Sequence, residues 1–193
     1  NTYILATRHE PLLKMRNRCI KRIFDIMFSL LFLCTLYPFI YIIVALVTKL
    51  TNPGPIYFRQ ERTGYDGKSF VCLKFRSMKV NKDADKKQAT KDDERVTKFG
   101  HFIRHYNIDE LPQFINVLRG DMSVVGPRPH MLAHTKYYGE IISEYMIRHL
   151  VRPGITGLAQ VSGCRGETKT VEDMKRRVEK DIEYIESWSF WQD

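Results

Sequence analysis

The sequence predicts an α+β protein. A re-entrant membrane helix-turn-helix comes first, followed by a small, mainly helical domain that carries one β-hairpin. Three observations predict it. Residues 26–47, IMFSLLFLCTLYPFIYIIVALV, hold no charge, and at about 1.5 Å per residue such a helix reaches across a hydrocarbon core of about 30 Å. Within IYFRQERTGYDGKSFVCLKF, two runs that favour strand flank the turn residues Tyr65, Asp66 and Gly67. Beyond them, apolar residues recur at helical spacing between Gly- and Pro-rich turns.

Residues 1–20 are expected to be a linker from a preceding region, because the chain opens at Asn1 without methionine and stops at Asp193 straight after an aromatic run. The hairpin is placed at residues 21–51. Pro38 lies near the middle of the apolar run, where it lacks an N–H and crowds the preceding turn, so a kink is expected there. Arg16, Arg18, Lys21 and Arg22 precede the run, and Lys49, Arg59 and Arg62 follow it. Basic residues favour the cytoplasmic side, and a segment that enters and returns satisfies that at both ends. The alternatives are a single span and a buried core helix. No cleavage site of a secretory signal follows the run. Asp25 is expected at the mouth of the hairpin, within reach of Arg22.

Residues 52–193 read as a separate domain, with its own C-terminus expected to be cut short. NPGP at 52–55 ends the apolar segment, and the hairpin follows. The polar run 79–95 reads as a solvated loop. LPQFINVLRG has Leu111, Phe114, Ile115 and Leu118 on one face and Gly120 as its stop. Residues 129–150 look helical, with a break at Gly139. RPGITGLAQVSG is turn-rich, and residues 170–188 form a charged amphipathic helix. Trp188, Phe190 and Trp191 suit either a membrane interface or the domain's own core.

Lys and Arg outnumber Asp and Glu 31 to 22, for a formal charge of +9. That balance favours phosphate-bearing partners. The four cysteines form no CxxC pair, which argues against zinc clusters and a disulfide framework. Basic clusters without interleaved aromatic residues argue against nucleic acid.

In this basic chain Asp109 and Glu110 stand side by side before Leu111 and Pro112. Acids at a helix start stabilise it by about 0.3–1 kcal/mol each, and Pro112 is tolerated in a first turn, so capping is one reading. Lys74, Arg76, Arg104 and Arg128 offer another. Arg128 is held between Pro127 and Pro129, and a guanidinium with a restrained backbone suits bidentate contact with phosphate. An acidic pair among cations suggests Mg²⁺ and a phosphorylated substrate, and a carboxylate can act as a covalent nucleophile. The i,i+4 pairs His101/His105 and His130/His134 lack the Glu of HExxH and read as surface pairs.

KRIFD, PGPIYFRQERTG, LKFRSM, IDELPQFINVLRGDMSVVGPRPH and RPGITGLAQVSG, in this order, resemble the bacterial polyprenyl-phosphate sugar-1-phosphate transferases, the monotopic phosphoglycosyl transferases. The two ends of the chain look more like the large members that begin exopolysaccharide or colanic-acid-type repeat units on undecaprenyl phosphate. The resemblance implies a catalytic domain on the cytoplasmic face of the bacterial inner membrane, with amphipathic helices at the interface. It implies a UDP-sugar donor carrying glucose or galactose, undecaprenyl phosphate as acceptor, surrounding membrane lipids, Mg²⁺ as cofactor and no nucleic acid; self-association into a homo-oligomer is compatible with it. Asp109 is then the nucleophile and Glu110 its partner, with both at the metal. Lys74, Arg76, Arg104 and Arg128 fall to phosphate and nucleotide, and Asp181 to a further polar position of the active site. The chain departs from the family in Tyr37, where Ser usually precedes the kink proline, and in His105-Tyr106-Asn107-Ile108 just before the acids. A catalytically silent module that binds nucleotide-sugar or lipid phosphate is the alternative reading.

Overall fold

The computed structural model describes residues 10–80, 93–166, 168 and 170–193. Most of the expected linker's first half and residues 81–92 of the expected solvated loop lie outside the described residues.

Helices α1 (Met15–Cys34) and α2 (Leu36–Thr51) meet at Thr35. Pro38 has no N–H for the carbonyl four residues back, and its ring crowds that carbonyl. α1 therefore ends at Cys34, and the break falls three residues before the proline. The N–H and the hydroxyl of Thr35 both donate to the Leu31 carbonyl, at 3.1 and 2.6 Å. A hydroxyl that bonds back to the carbonyl four residues earlier helps to bend a helix. Tyr37 does something else: its ring stacks on Phe75 at 5.9 Å between centroids, and its hydroxyl lies 2.8 Å from that of Tyr57. Leu31, Leu36, Phe39, Ile42, Ile43 and Leu46 are each at least 59% exposed. A contiguous apolar face of this kind marks a membrane or interaction surface. By length and composition, Met15–Thr51 is sufficient to cross a membrane.

The opposite face of α1 is polar and buried against the domain. Asp25 does not pair with Arg22 at a hairpin mouth. Its Oδ1 accepts from the Ser123 hydroxyl and the Val124 N–H, both at 2.9 Å. Arg22 instead donates to the carbonyls of Val117 and Leu118. Lys21 forms an ion pair with Asp193. Leu12 packs with Tyr184, Ile185 and Trp188, so residues 10–20 of the expected linker include a contact with the core.

Strands β1 (Tyr57–Thr63) and β2 (Ser69–Phe75) form the expected antiparallel hairpin, with Tyr57 opposite Phe75. Its turn uses left-handed Asp66 and Gly67, at φ 56° and 71°. Next come α3 (Lys98–His105), a 3₁₀ turn at Ile108–Glu110 and α4 (Gln113–Arg119), which stops at Gly120, φ 92°. Strand β3 (Ser123–Val125) leads to α5 (Leu132–Ile141). α5 runs through Gly139, and the expected break falls at Ile142 instead.

The turn-rich RPGITG segment contains strand β4 (Gly154–Thr156), which pairs in parallel with β3. No local pattern signalled it. Short α6 (Leu158–Val161) precedes α7 (Val171–Ser187), which opens on a Thr170/Asp173 capping box. α7 buries Met174, Val178, Ile182 and Ile185 at helical spacing, and Arg177 and Asp181 on the same side. The aromatic tail is divided: Trp188 is core, whereas Trp191 is exposed and Phe190 meets the Phe24 ring of α1 edge-on.

Candidate active site

Two tethers bring the acidic pair to its cations. Asn116 of α4 is fully buried; its side chain accepts from the Leu73 N–H at 3.0 Å and donates to the Val71 carbonyl at 2.7 Å. It joins the helix that follows the acids to the strand that carries Lys74. The second tether holds residues 127–130. The carbonyl of Pro127 accepts from the Gly154 N–H, that of Arg128 from Arg148, that of Pro129 from Arg62 and that of His130 from the Thr63 N–H. A Cβ on Gly154 would lie 2.1 Å from the Gly126 nitrogen, so only glycine lets the GPRP and RPGITG segments dock. Rigidity at Arg128 comes from these captured carbonyls as well as from its prolines.

Held this way, Arg128 forks onto Glu110, with Nη1 3.1 Å from Oε2 and Nη2 2.6 Å from Oε1. Lys74 Nζ donates to Oε1 at 2.7 Å. Burial alone would push the Glu110 carboxyl up, but Lys74 and Arg128 outweigh it and hold the group well below the usual range. Asp109 is buried beside it and, among the described residues, has no hydrogen bond to its carboxylate. Burial pushes its carboxyl up, against the pull of Lys74, Arg104 and Arg128, while Glu110 adds to the rise. Neither acid caps α4, whose N-cap is Pro112.

Asp109, Glu110, Lys74, Arg104 and Arg128 line one cavity of about 1440 Å³. That volume exceeds the usual range for one small ligand. Among the described residues, nine Lys and Arg line it against two acids. Its far wall, Tyr41, Ile56, Tyr57 and Phe58, reaches α2.

Two expected site residues have other tasks. Arg76 lines the cavity rim, but its guanidinium donates to the carbonyls of Asn52, Pro55 and Met78; it clamps the end of the hairpin instead of presenting its fork to phosphate. Asp181 lies one layer behind the cavity wall. Its Oδ2 accepts from Arg148 Nε at 3.1 Å and Nη2 at 2.6 Å, and Arg148 in turn holds the Arg128 carbonyl at 2.9 Å. His130 is not a surface residue: it is buried, its Nδ1 2.6 Å from the Tyr145 hydroxyl.

Sequence reasoning missed Asn116, Arg148 and Arg177, and took the buried His130 for a surface residue. Only Arg177 and Asp181 gave a signal, as charged residues four apart on the apolar side of an amphipathic helix.

An apolar helix pair of membrane length is joined to a cation-lined cavity with one unengaged carboxylate, the class of site that suits an anionic group beside an apolar surface. The bacterial sugar transferase family model matches residues 16–193, and the chain belongs to that family. It is 54% identical over 178 residues to UDP-glucose:undecaprenyl-phosphate glucose-1-phosphate transferase of Escherichia coli K12, covering 92% of this chain and 38% of that one. Identity to the protein of the same name from Caulobacter vibrioides is 51% over 174 residues, or 90% of this chain and 65% of the relative. An Aeromonas hydrophila UDP-N-acetylgalactosamine-undecaprenyl-phosphate N-acetylgalactosaminephosphotransferase is 42% identical over 175 residues, 90% of this chain and 41% of its own length. The chain thus spans less than two thirds of each of these relatives.

Proposed function

We propose that this chain transfers a sugar-1-phosphate, with glucose as the sugar, from a UDP-sugar to undecaprenyl phosphate at the cytoplasmic face of a bacterial inner membrane. The observation that carries the proposal is the contrast within the acidic pair: Glu110 is bonded to Lys74 and Arg128, while the Asp109 carboxylate faces the same cavity with no hydrogen bond among the described residues. In the first step an Asp109 oxygen attacks the sugar-bearing phosphorus. The bond from that phosphorus to the bridging oxygen breaks, and UMP leaves with the oxygen. In the second step a phosphate oxygen of undecaprenyl phosphate attacks the same phosphorus, the acyl-phosphate bond breaks and the Asp109 carboxylate is restored. Lys74, Arg104 and Arg128 orient the phosphoryl group and offset its charge, and Glu110 keeps two of these cations in place between turnovers.

The residues fit Mg²⁺. Asp109 offers an open carboxylate, and Glu110 Oε2, with one bond from Arg128, retains acceptor capacity. Mg²⁺ commonly takes one or two carboxylates and completes its shell with substrate phosphates and water; when bound, it would neutralise diphosphate charge. In this reading α1 and α2 enter and leave the membrane on one face. Labelling of cysteines placed before Lys21 and after Lys49 from opposite sides would overturn that topology.

The test of the reaction is intact-protein mass after incubation with Mg²⁺ and a panel of UDP-sugars, without lipid acceptor. A hexose-phosphate adduct with UMP release, absent from Asp109→Asn, is expected with UDP-glucose. No adduct with any donor would leave a binding module instead of an enzyme.

A further inference from the structure

His130 and Arg177 direct two donors at the same space. His130 Nδ1 lies 2.5 Å from Arg148 Nη1. A guanidinium has donors only, so Nδ1 accepts from it; the Tyr145 hydroxyl, 2.6 Å from the same nitrogen, can donate as well, and the neutral ring then carries its proton on Nε2. Burial, reinforced by Arg148, Arg177, Arg62 and His134, lowers the pKa of His130 well below its ordinary value and keeps it neutral. Nε2 faces Arg177 Nη1 at 3.4 Å. Both atoms bear hydrogen, so this contact is not a hydrogen bond. The two residues are 5% and 6% exposed and both line the cavity. Among the described residues, neither N–H has an acceptor.

The two groups are also fixed in direction. Arg177 donates through Nε to the Cys164 carbonyl and through Nη2 to the Gly166 carbonyl, each at 3.0 Å. This leaves Nη1 aimed at His130. Arg148 fixes the ring from the other side, and among the described residues a single carboxylate, Asp181, faces both arginines. Two converging buried donors with surplus positive charge are complementary to an anionic oxygen.

We propose that His130 Nε2 and Arg177 Nη1 form a second phosphate subsite of this cavity, taking one phosphate oxygen between them. The inference rests on the transfer proposed above, which brings two phosphoryl groups together in each step. Lys74, Arg104 and Arg128 gather around Asp109 and serve the phosphorus under attack; the second group needs partners of its own. Its chemistry is that of a phosphate oxygen, supplied either by the nucleotide or by the lipid acceptor.

The experiment uses the chain in detergent micelles with ¹⁵N-labelled histidine, observed by long-range ¹H–¹⁵N spectra and titrated separately with UMP, farnesyl phosphate and uridine. The free protein is expected to show His130 with its proton on Nε2. A saturable change in that nitrogen is expected with UMP, with farnesyl phosphate or with both, and none with uridine. A response to UMP assigns the nucleotide phosphate, a response to farnesyl phosphate assigns the acceptor, and both together mean successive use. Arg177→Lys should weaken the responding phosphate at least tenfold while the His130 signal persists, which separates lost binding from lost folding. A proton on Nδ1 overturns the inference. So does silence towards both phosphates in protein that still forms the Asp109 adduct, an outcome that leaves the transfer reading intact. A phosphate response in protein that never forms the adduct upholds the subsite and removes the transfer reading alone.

Discussion

Two acid–arginine pairs sit on opposite sides of the turn at residues 127–129, and the same chemistry does different work in each. Glu110 and Arg128 meet at the cavity wall, where the arginine side chain is 28% exposed; Asp181 and Arg148 meet behind it, with side chains 2% and 1% exposed. In the outer pair Glu110 keeps Lys74 as a second partner, so Arg128 can turn to an incoming phosphate without leaving the carboxylate uncompensated. The inner pair has no such freedom, because either charge left alone would be buried and uncompensated. It serves as a fixed post against which the Arg128 backbone is set. Acid, arginine and bond lengths are shared; depth is what separates a ligand-facing pair from a structural one.

The largest expected break in this comparison lies at the acid that belongs to neither pair. Asp109→Asn should abolish the mass adduct. It should also raise the thermal midpoint, because burial makes the ionised carboxylate costly; at this chain length about 1 kcal/mol corresponds to roughly 2–4 °C. Adduct formation without Asp109 would remove it as nucleophile. Next in size, Arg128→Lys loses the fork onto Glu110 and should slow adduct formation about 10²–10³-fold, measured in a single turnover, with little change in stability. If Arg128→Lys unfolded the chain, the outer pair would be structural after all.

Asp181→Ala tests the inner pair. It should cost about 3–5 kcal/mol of stability, read from denaturant unfolding, and replacement of both partners by apolar residues should recover part of that loss. A stable Asp181→Ala chain with slow adduct formation would place Asp181 in the chemistry instead.

A smaller effect separates the two adjacent acids by pH. Glu110 is held below its ordinary value of 4.5, so its ion pairs stabilise the fold above that pH, and the contribution is lost as pH falls through the lowered value. Asp109 is raised above 3.8, so its ionised form costs stability at neutral pH, and the cost is relieved as pH falls through the raised value. The acid limb of adduct formation should therefore have its midpoint above 3.8. Glu110→Gln removes a charge that raises Asp109, so the midpoint should move to lower pH; a midpoint moving up would contradict the assignment. The smallest change is Thr35→Ala, which removes one hydroxyl bond to Leu31 and should cost about 0.5–1.5 kcal/mol without altering the adduct.

Much of the fold was legible from local pattern. The uncharged run, the hairpin around Asp66 and Gly67, the stop at Gly120 and the amphipathic α7 each follow from periodicity or turn chemistry within a short window. The breaks near Pro38 and Gly139 were expected and fell a few residues away. In the first case the missing N–H acts on the carbonyl four residues earlier; in the second a single glycine costs a helix too little to end it. Strand β4 was hidden, because Gly154, Ile155 and Thr156 are too short a run, set among turn residues, to signal a strand until β3 lies beside them.

By itself the sequence determined the family, the membrane-length apolar pair and the stock of acids and cations for the site. The tertiary structure alone decided their partners: Glu110 with Lys74 and Arg128, Asp181 with Arg148, Arg76 turned away to the hairpin's end, and His130 set against Arg177. The partners in these pairs lie 18 to 47 residues apart. Charges attract any opposite charge, and no local period encodes which one is met. That choice was made by the parallel docking of β3 on β4 and by Asn116 bridging α4 to β2, which bring distant segments within a hydrogen bond's reach.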